Sequence, residues 1–591
     1  MTVLLPQAIS RSLMPSACLS LILFVFGPSQ IYLTNQGEFS VLYLTFLWNA
    51  SILSILFCLL LLVFFGLLYR FTDFYQRVIS LTLSLSILLS LQTYFIVWKY
   101  GLLDGTPIPW NEHLTEGIFD GTLWVFVMAI AWLKFKKSYS YAKQISVAIL
   151  FFHCLSLIFH TARLPELPSS RKYGIDESGK FIFSKNKNVI ILVLDAFQTD
   201  FFQEIINKDK QYEEFFQDFV YFRNSLAGHP FSETSTMNIL TGEYYDGRDT
   251  FEKHNKRAYS GKSIPKVLKE NGFQAELYPG MRRGIFYDET IASNIKRGTA
   301  SVDQTRAEFV YLLDVSLFRQ LPTFLKMQVY NNQEWLFTRR PDGFRWLIRD
   351  SNKASTSHSS SRHSFSGDAL QRSGSLRFID KMARSAVRSE EPGVFKYYHL
   401  DLPHSPLRIN EHLEYERMAQ TRRNFRRQCE AALQIAKLIL EELKRIDAYD
   451  NSLIFIVADH GAGAQKQRFS NRARFPLQPD QSLVSDPKMV NALPLFLIKR
   501  FHAKGALKIS DAPVTLSDIR PTIFAELGIR VDCPGKSVFE VSENEPRTRR
   551  YIICGRYDST RDMYLNLQEW LVTGYSWVLE SWRPSYRKGS A

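Results

Sequence analysis

The sequence predicts two structural classes in one chain: a bundle of five transmembrane helices, followed by an α/β domain with a mostly parallel central sheet covered by helices. Three observations predict it. Residues up to about 160 are dominated by Leu, Ile, Phe, Val and Ser, whereas the rest of the 591 residues have ordinary globular usage. The stretch Asn188 to Asp200, NVIILVLDAFQTD, carries an unbroken aliphatic run, Val189 to Leu194. Such a run, bounded by polar residues, is the pattern of a strand buried on both faces of a parallel sheet. Beyond it, hydrophobic strands (Val189 to Leu194, Val394 to His399, Leu453 to Ala458, Leu493 to Ile498) alternate with helical patterns (Ser263 to Asn271, Arg422 to Arg445, Leu516 to Leu527). That alternation argues one α/β domain.

The apolar segments are expected at about 13–33, 41–69, 78–98, 118–133 and 145–159, making residues 1–163 a membrane domain. Most reach the ~20 residues that span ~30 Å of hydrocarbon, while the fourth and fifth must stand upright or extend into their flanks. The first is not a signal peptide, because four more follow and no small-residue cleavage pattern closes it. Arg70 to Arg77 and Lys134 to Lys143 are basic, whereas Asn35 to Ser40 and Tyr100 to Asp120 carry acids and almost no Lys or Arg. The positive-inside rule therefore puts the amino terminus in the cytoplasm and everything after Arg163 outside it.

Residues 164–187, with Pro165 and Pro168, read as a linker, 188–530 as the α/β domain, and 531–591 as its C-terminal extension. Asp350 to Ser375 is Ser-rich and basic, the composition of a loop or of a lid contacting a headgroup. Six cysteines are too few for a disulfide scaffold, and Cys429, Cys533 and Cys554 allow at most one bridge outside the apolar runs. The net charge of +14 is scattered, without an aromatic-interleaved stripe. This argues against a nucleic-acid partner and for anionic lipid headgroups.

Asp195 falls at the carboxyl end of its strand, where open α/β sheets bind ligands; a helix cap is the alternative reading of that Asp. A second buried run, LIFIVADHG, ends in Asp459, His460 and Gly461. Two carboxylates and an imidazole at two strand ends suit a divalent metal. A third piece, HPFSETSTMNILTG (His229 to Gly242), clusters hydroxyls ahead of a short apolar turn, which is either chemistry or a helix amino-terminal cap.

Asp195, a hydroxyl ten residues before the Gly of Leu240-Thr241-Gly242, His404 in LPHSP, and Asp459-His460-Gly461 together resemble the sulfatase and alkaline phosphatase superfamily. The resemblance runs from about Asn188 to Ile529, with Leu493 to Lys499 and Ser517 to Leu527 similar to that family's closing strand and helix. It implies a mixed, mostly parallel sheet. It also implies that Ser232 is the nucleophile, with Thr234 its competitor, and that His404 faces the substrate as an acid or phosphate hydrogen-bonder. The implied metal ligands are Asp195, Ser232, Asp459 and His460; Ser235, Arg282 and Arg283 are candidates for substrate binding. His399 reads as a packed strand residue.

Two departures separate the chain from a formylglycine sulfatase. Ser232-Glu233-Thr234-Ser235-Thr236 lacks the Pro and Arg of the modification context, and Asp195-Ala196 stands where those enzymes carry paired acids. What remains resembles the membrane-anchored branch, the lipoteichoic acid synthases and phosphoethanolamine transferases. That branch implies a metal-dependent enzyme in the cell membrane, its soluble domain periplasmic or extracellular, which moves phosphoethanolamine or phosphoglycerol from a phospholipid donor to an envelope glycan or lipid. An ester hydrolase and a non-catalytic lipid-binding regulator are the alternatives. An imidazole among oxygen ligands favours Zn or Mn over Ca or Mg.

Overall fold

The computed structural model describes residues 4–35, 39, 41–100, 103, 108–162, 173–280, 283–297, 302–331, 334–338, 365–462, 475, 481–555, 557–558 and 561–585. The chain divides into two compact units: Met1–Leu167 with Thr299–Ala354, and Pro168–Gly298 with Ser355–Ala591. Its six cysteines are all unpaired.

Among the described residues of the first unit, five helices are long and apolar enough to cross a membrane: Ile9–Thr34, Tyr43–Leu68, Thr72–Tyr94, Trp110–Leu133 and Ala142–Ala162. The fourth and fifth have 24 and 21 residues, longer than their apolar cores, because polar flanks around Glu116 and Lys143 continue the helices. The second span leaves Leu44, Leu60, Val63 and Leu67 exposed, the surface a lipid-facing helix presents. A later segment of the chain also belongs to this unit. Helices Val302–Gln320 and Thr323–Val329 lead into a short hairpin of Tyr330–Asn331 with Glu334–Trp335.

The second unit is built on a seven-stranded sheet. Its strands are β1 (Asn188–Leu194), β2 (Val220–Phe222), β3 (Gln274–Tyr278), β4 (Val394–Leu400), β5 (Ser452–Val457), β6 (Phe496–Lys499) and β7 (Lys508–Ser510). They lie in the order β7-β2-β6-β5-β1-β4-β3. Only β6 runs antiparallel to its neighbours, and the other pairs are parallel. The helices are α1 (Thr199–Lys208), α2 (Ser232–Thr241), α3 (Ile264–Glu270), α4 (Gly374–Ser385), α5 (Arg422–Arg445) and α6 (Ile519–Leu527).

Strand alternation sorts these elements into two layers. Val189, Ile191 and Val193 of β1 share one face with Phe395 and Tyr397 of β4 and Leu453, Phe455 and Val457 of β5; α2, α3 and α6 cover it. Ile190, Leu192 and Leu194 turn to the other face, under α1, α4 and α5. Helix α5 shows why: Phe425, Cys429, Leu433, Ala436, Leu440 and Leu443 recur at helical spacing and are all buried. Thr421 starts the helix by accepting the Asn424 N–H on its side chain.

Part of the Ser-rich segment expected to be a loop is ordered. Residues 350–364 lie outside the described residues, but Gly367–Arg372 is helical and Ser373 caps α4 through the Leu376 N–H. The C-terminal extension forms a second sheet, β8 (Thr548–Ile553), β9 (Gln568–Thr573) and β10 (Trp582–Pro584), antiparallel throughout. Arg549 ties it to the core: its buried guanidinium donates to the carbonyls of Asn224 at 2.6 Å and Gly574 at 2.5 Å.

Two buried histidines in the second unit make its stability depend on pH. Burial pushes His229 down to about 3 and His254 down to about 4, whereas an unfolded histidine titrates near 6.5. The unfolded state therefore binds more protons between those values, so stability is full above about 6.5 and falls as pH drops through the window. Each residue is expected to contribute on the order of 1 kcal/mol per pH unit there. Urea unfolding of the second unit within the full chain, followed between pH 6.5 and 4.5, checks it. His254→Gln should remove its share of the slope, and a flat wild-type profile would contradict the assignment.

Candidate active site

The strand register builds the site. In β1, β4 and β5, Val193 pairs with His399 on one side and with Val457 on the other. Side chains two residues apart share a face, so Asp195, His399 and Asp459 emerge from the same face at the carboxyl edge of three adjacent parallel strands. The His399 Nε2 lies 3.5 Å from Asp195 Oδ2 and 3.8 Å from Asp459 Oδ2. His399, expected to be a packed strand residue, has a side chain only 2% exposed, but its ring nitrogen faces the two carboxylates.

Each group is held from behind. Asp459 Oδ1 accepts the Ala196 N–H at 3.1 Å and the His460 N–H at 3.0 Å, which turns Oδ2 toward the cluster. Ala196 takes a positive φ of 61°, bending the chain sharply after Asp195. His460 Nδ1 donates to the Gly461 carbonyl at 2.8 Å, leaving Nε2 as the acceptor nitrogen of the neutral ring. Gly461 is required by close approach: a Cβ there would come within 2.7 Å of the Val490 carbonyl.

Helix α2 presents one hydroxyl, that of Ser232, to this cluster. Ser232 is its first residue, and Ser232 Oγ stands 3.2 Å from His460 Nε2. That Nε2 is in turn 3.5 Å from Asp459 Oδ2 and 3.9 Å from Asp195 Oδ1. The other candidate hydroxyls are engaged elsewhere: Thr234 donates to the Phe231 carbonyl at 3.0 Å, and Ser235 to the His229 carbonyl at 2.8 Å. At the far end of α2, Gly242 has a φ of 71°, and Arg520 of α6 donates to the Thr241 carbonyl. The Thr241-Gly242 motif is thus a helix C-cap braced by the closing helix.

His404 follows β4 on a loop organised by Gln428 of α5, whose Nε2 donates to the carbonyls of Pro403 and His404, both at 3.0 Å. Burial works to raise the Asp195 carboxyl, but the imidazoles of His404, His399 and His460 outweigh it and hold the group below its ordinary value. Burial works to lower His399 and His460, and both are held above the usual histidine value by Asp195 and Asp459. Arg283 stacks its guanidinium on the Tyr557 ring at 3.9 Å. Arg282 lies outside the described residues, as does the stretch 463–474 after the Asp-His-Gly motif.

These donors fit a divalent cation. One ligand atom from each of Asp195, His399 and Asp459 lies within 4.8 Å of the others. Asp195 Oδ1, His399 Nε2 and Asp459 Oδ2 are buried without a hydrogen-bond partner, a costly state that a metal relieves. Sequence reasoning missed His399 because VFKYYHL reads as a packed strand. The signal was parity: His399 falls on the inward face carrying Phe395 and Tyr397.

A protein-family model described as Sulfatase matches residues 187–529. Among solved structures, Ps i-CgsB in complex with k-i-k-neocarrahexaose is similar at 18% identity, covering 68% of this chain and 86% of that chain, with a TM-score of 0.38. A phosphonate monoester hydrolase from Silicibacter pomeroyi is 13% identical over 67% and 88% of the two chains, TM-score 0.35. The lipoteichoic acid synthase LtaP from Listeria monocytogenes is 13% identical over 70% and 90%, TM-score 0.33. No curated protein matches the chain. The family match takes in more than half of the 591 residues, and the chain belongs to the sulfatase family.

Proposed function

We propose that the chain is a metal-dependent, membrane-bound transferase that moves a phospholipid headgroup, phosphoethanolamine or phosphoglycerol, to an envelope glycan or lipid through a covalent Ser232 intermediate. The observation that carries the reading is the Ser232 hydroxyl, 3.2 Å from His460 Nε2 and beside the Asp195, His399 and Asp459 donors. The five apolar helices support a donor drawn from the bilayer, because anchoring keeps donor and enzyme on one surface. The positive-inside bias supports a catalytic domain on the periplasmic or extracellular side.

A divalent cation, Zn or Mn by the imidazole among its ligands, would supply Lewis-acid polarisation of a phosphoryl oxygen and a lowered Ser232 pKa when held by Asp195, His399 and Asp459. Ser232 Oγ forms a bond to the headgroup phosphorus as the bond to the diacylglycerol oxygen breaks. His460 Nε2 aligns the attacking hydroxyl and accepts its proton. His404 gives a proton to the departing diacylglycerol oxygen. An acceptor hydroxyl then attacks the phosphorus and gives its proton to His404, as the bond to Ser232 breaks and Ser232 takes back its proton from His460.

Release of diacylglycerol from phosphatidylethanolamine or phosphatidylglycerol by the full chain in proteoliposomes tests this. Product is expected with at least one donor, and His404→Ala should slow it on the order of 10²- to 10⁴-fold, the range for one acid-base group. Turnover of a soluble sulfate or phosphate ester with no diacylglycerol from either lipid would instead make the chain an ester hydrolase.

A further inference from the structure

Helices Val302–Gln320 and Thr323–Val329 sit between two stretches of the sulfatase unit in sequence, yet they pack within the membrane unit. The contacts are specific. Asp120, a buried acid in the fourth span, receives the Thr323 N–H at 3.0 Å and the Thr323 hydroxyl at 2.7 Å on one oxygen, and the Trp98 indole N–H at 3.1 Å on the other. Gln320 donates to the Ile22 carbonyl of the first span at 3.0 Å, and Arg319 to the Thr93 carbonyl of the third at 3.0 Å. Gly27 of the first span is needed for this approach, since a Cβ there would overlap the Gln320 amide.

The turn between the two helices consumes its own charge. Lys326 is buried, and its Nζ donates to the Phe318 carbonyl at 2.5 Å and the Arg319 carbonyl at 3.3 Å, a cation at a helix C-terminus. Of the three residues that the short helix leaves exposed, Gln328 is polar and two are apolar, Phe324 at 48% and Met327 at 37% exposed. A Cβ added at Gly121 of the fourth span would meet the Phe324 ring at 3.9 Å, so the ring packs over that glycine. That span carries Ile118, Phe119, Val125 and Phe126 exposed along its own surface, so the apolar face of the short helix continues the surface that lipid would cover.

We propose that Thr323–Val329 is a sixth membrane-contacting element, one that does not cross the bilayer, and that its Phe324 and Met327 face is covered by phospholipid acyl chains. The sulfatase unit would then be attached to the bilayer both through the chain after the fifth span and through this insertion. The inference needs only that the five helices cross a membrane, and it is independent of the reaction proposed above.

Photo-crosslinking of the wild-type full chain tests it, in nanodiscs whose phospholipids carry diazirines on their acyl chains, with adducts mapped by peptide mass spectrometry. Adducts are expected on the peptide containing Phe324 and Met327 as well as on the fourth span. Adducts on the five spans with none on that peptide would overturn the proposal. A second reading uses a charged maleimide: Met327→Cys should react at least about tenfold more slowly than Ile509→Cys, which stands exposed on the sulfatase unit, because hydrocarbon excludes a charged reagent. Equal rates at the two positions would also overturn it.

Discussion

Replacing Ser232 with alanine is expected to abolish turnover, with a loss of more than about 10⁴-fold, because removing a covalent nucleophile eliminates the two-step route itself and not only one stabilising contact. The neighbouring hydroxyls provide the control. Thr234 and Ser235 are buried and donate to the carbonyls of Phe231 and His229, whereas the Ser232 hydroxyl meets the His460 ring. Thr234→Ala should therefore retain activity within a few-fold, the change expected where a hydroxyl serves only a local backbone bond. Rates of diacylglycerol release for the two variants, with folding checked by thermal denaturation, separate the roles. An active Ser232→Ala protein beside an inactive Thr234→Ala protein would move the nucleophile by two residues.

Asp459→Asn is expected to empty the metal site while leaving the fold intact. The asparagine carbonyl can still accept the Ala196 and His460 N–H groups that Asp459 Oδ1 accepts now. The other carboxylate oxygen, which faces His399 and is buried without a partner, becomes an NH₂ donor and cannot ligate a cation. Altering groups that merely orient a ligand typically costs 10- to 100-fold in metal affinity, so loss of the ligand should exceed about 100-fold. Elemental analysis after dialysis against a metal buffer reads this without any activity assay. His399→Gln should show the same direction. A wild-type metal content in both variants would remove Asp459 and His399 from the site.

Much of this arrangement was legible because burial writes itself into composition. The aliphatic runs of β1 and β5 must be strands covered on both faces, and an acid ending each run has nowhere to go but the strand's carboxyl edge. Asp195 and Asp459 were therefore readable one at a time. His399 was not, since its role depends on β4 pairing beside β1 in a register that places it opposite Val193. The fates of Thr234 and Ser235 were equally hidden, because helix geometry decides which of several adjacent hydroxyls turns to the backbone. The fourth and fifth helices run past their short apolar cores into flanks that include Glu116 and Lys143. The insertion at 302–338 escaped notice because Glu308, Asp314 and Arg319 make it look like an ordinary soluble helix. Within the bundle unit those groups are spent on the Val41 N–H, the Phe337 and Thr338 N–H groups and the Thr93 carbonyl.

The central claim is a serine-bound headgroup, and intact-protein mass spectrometry reads it most directly. The full chain is incubated with metal and phosphatidylethanolamine or phosphatidylglycerol, without acceptor, then quenched in acid and digested. The account predicts a mass increase equal to one phosphoethanolamine or phosphoglycerol, mapped to the peptide containing Ser232 and absent from Ser232→Ala. Undiminished diacylglycerol release by the Ser232→Ala protein, or an adduct that persists in it at another residue, would contradict it.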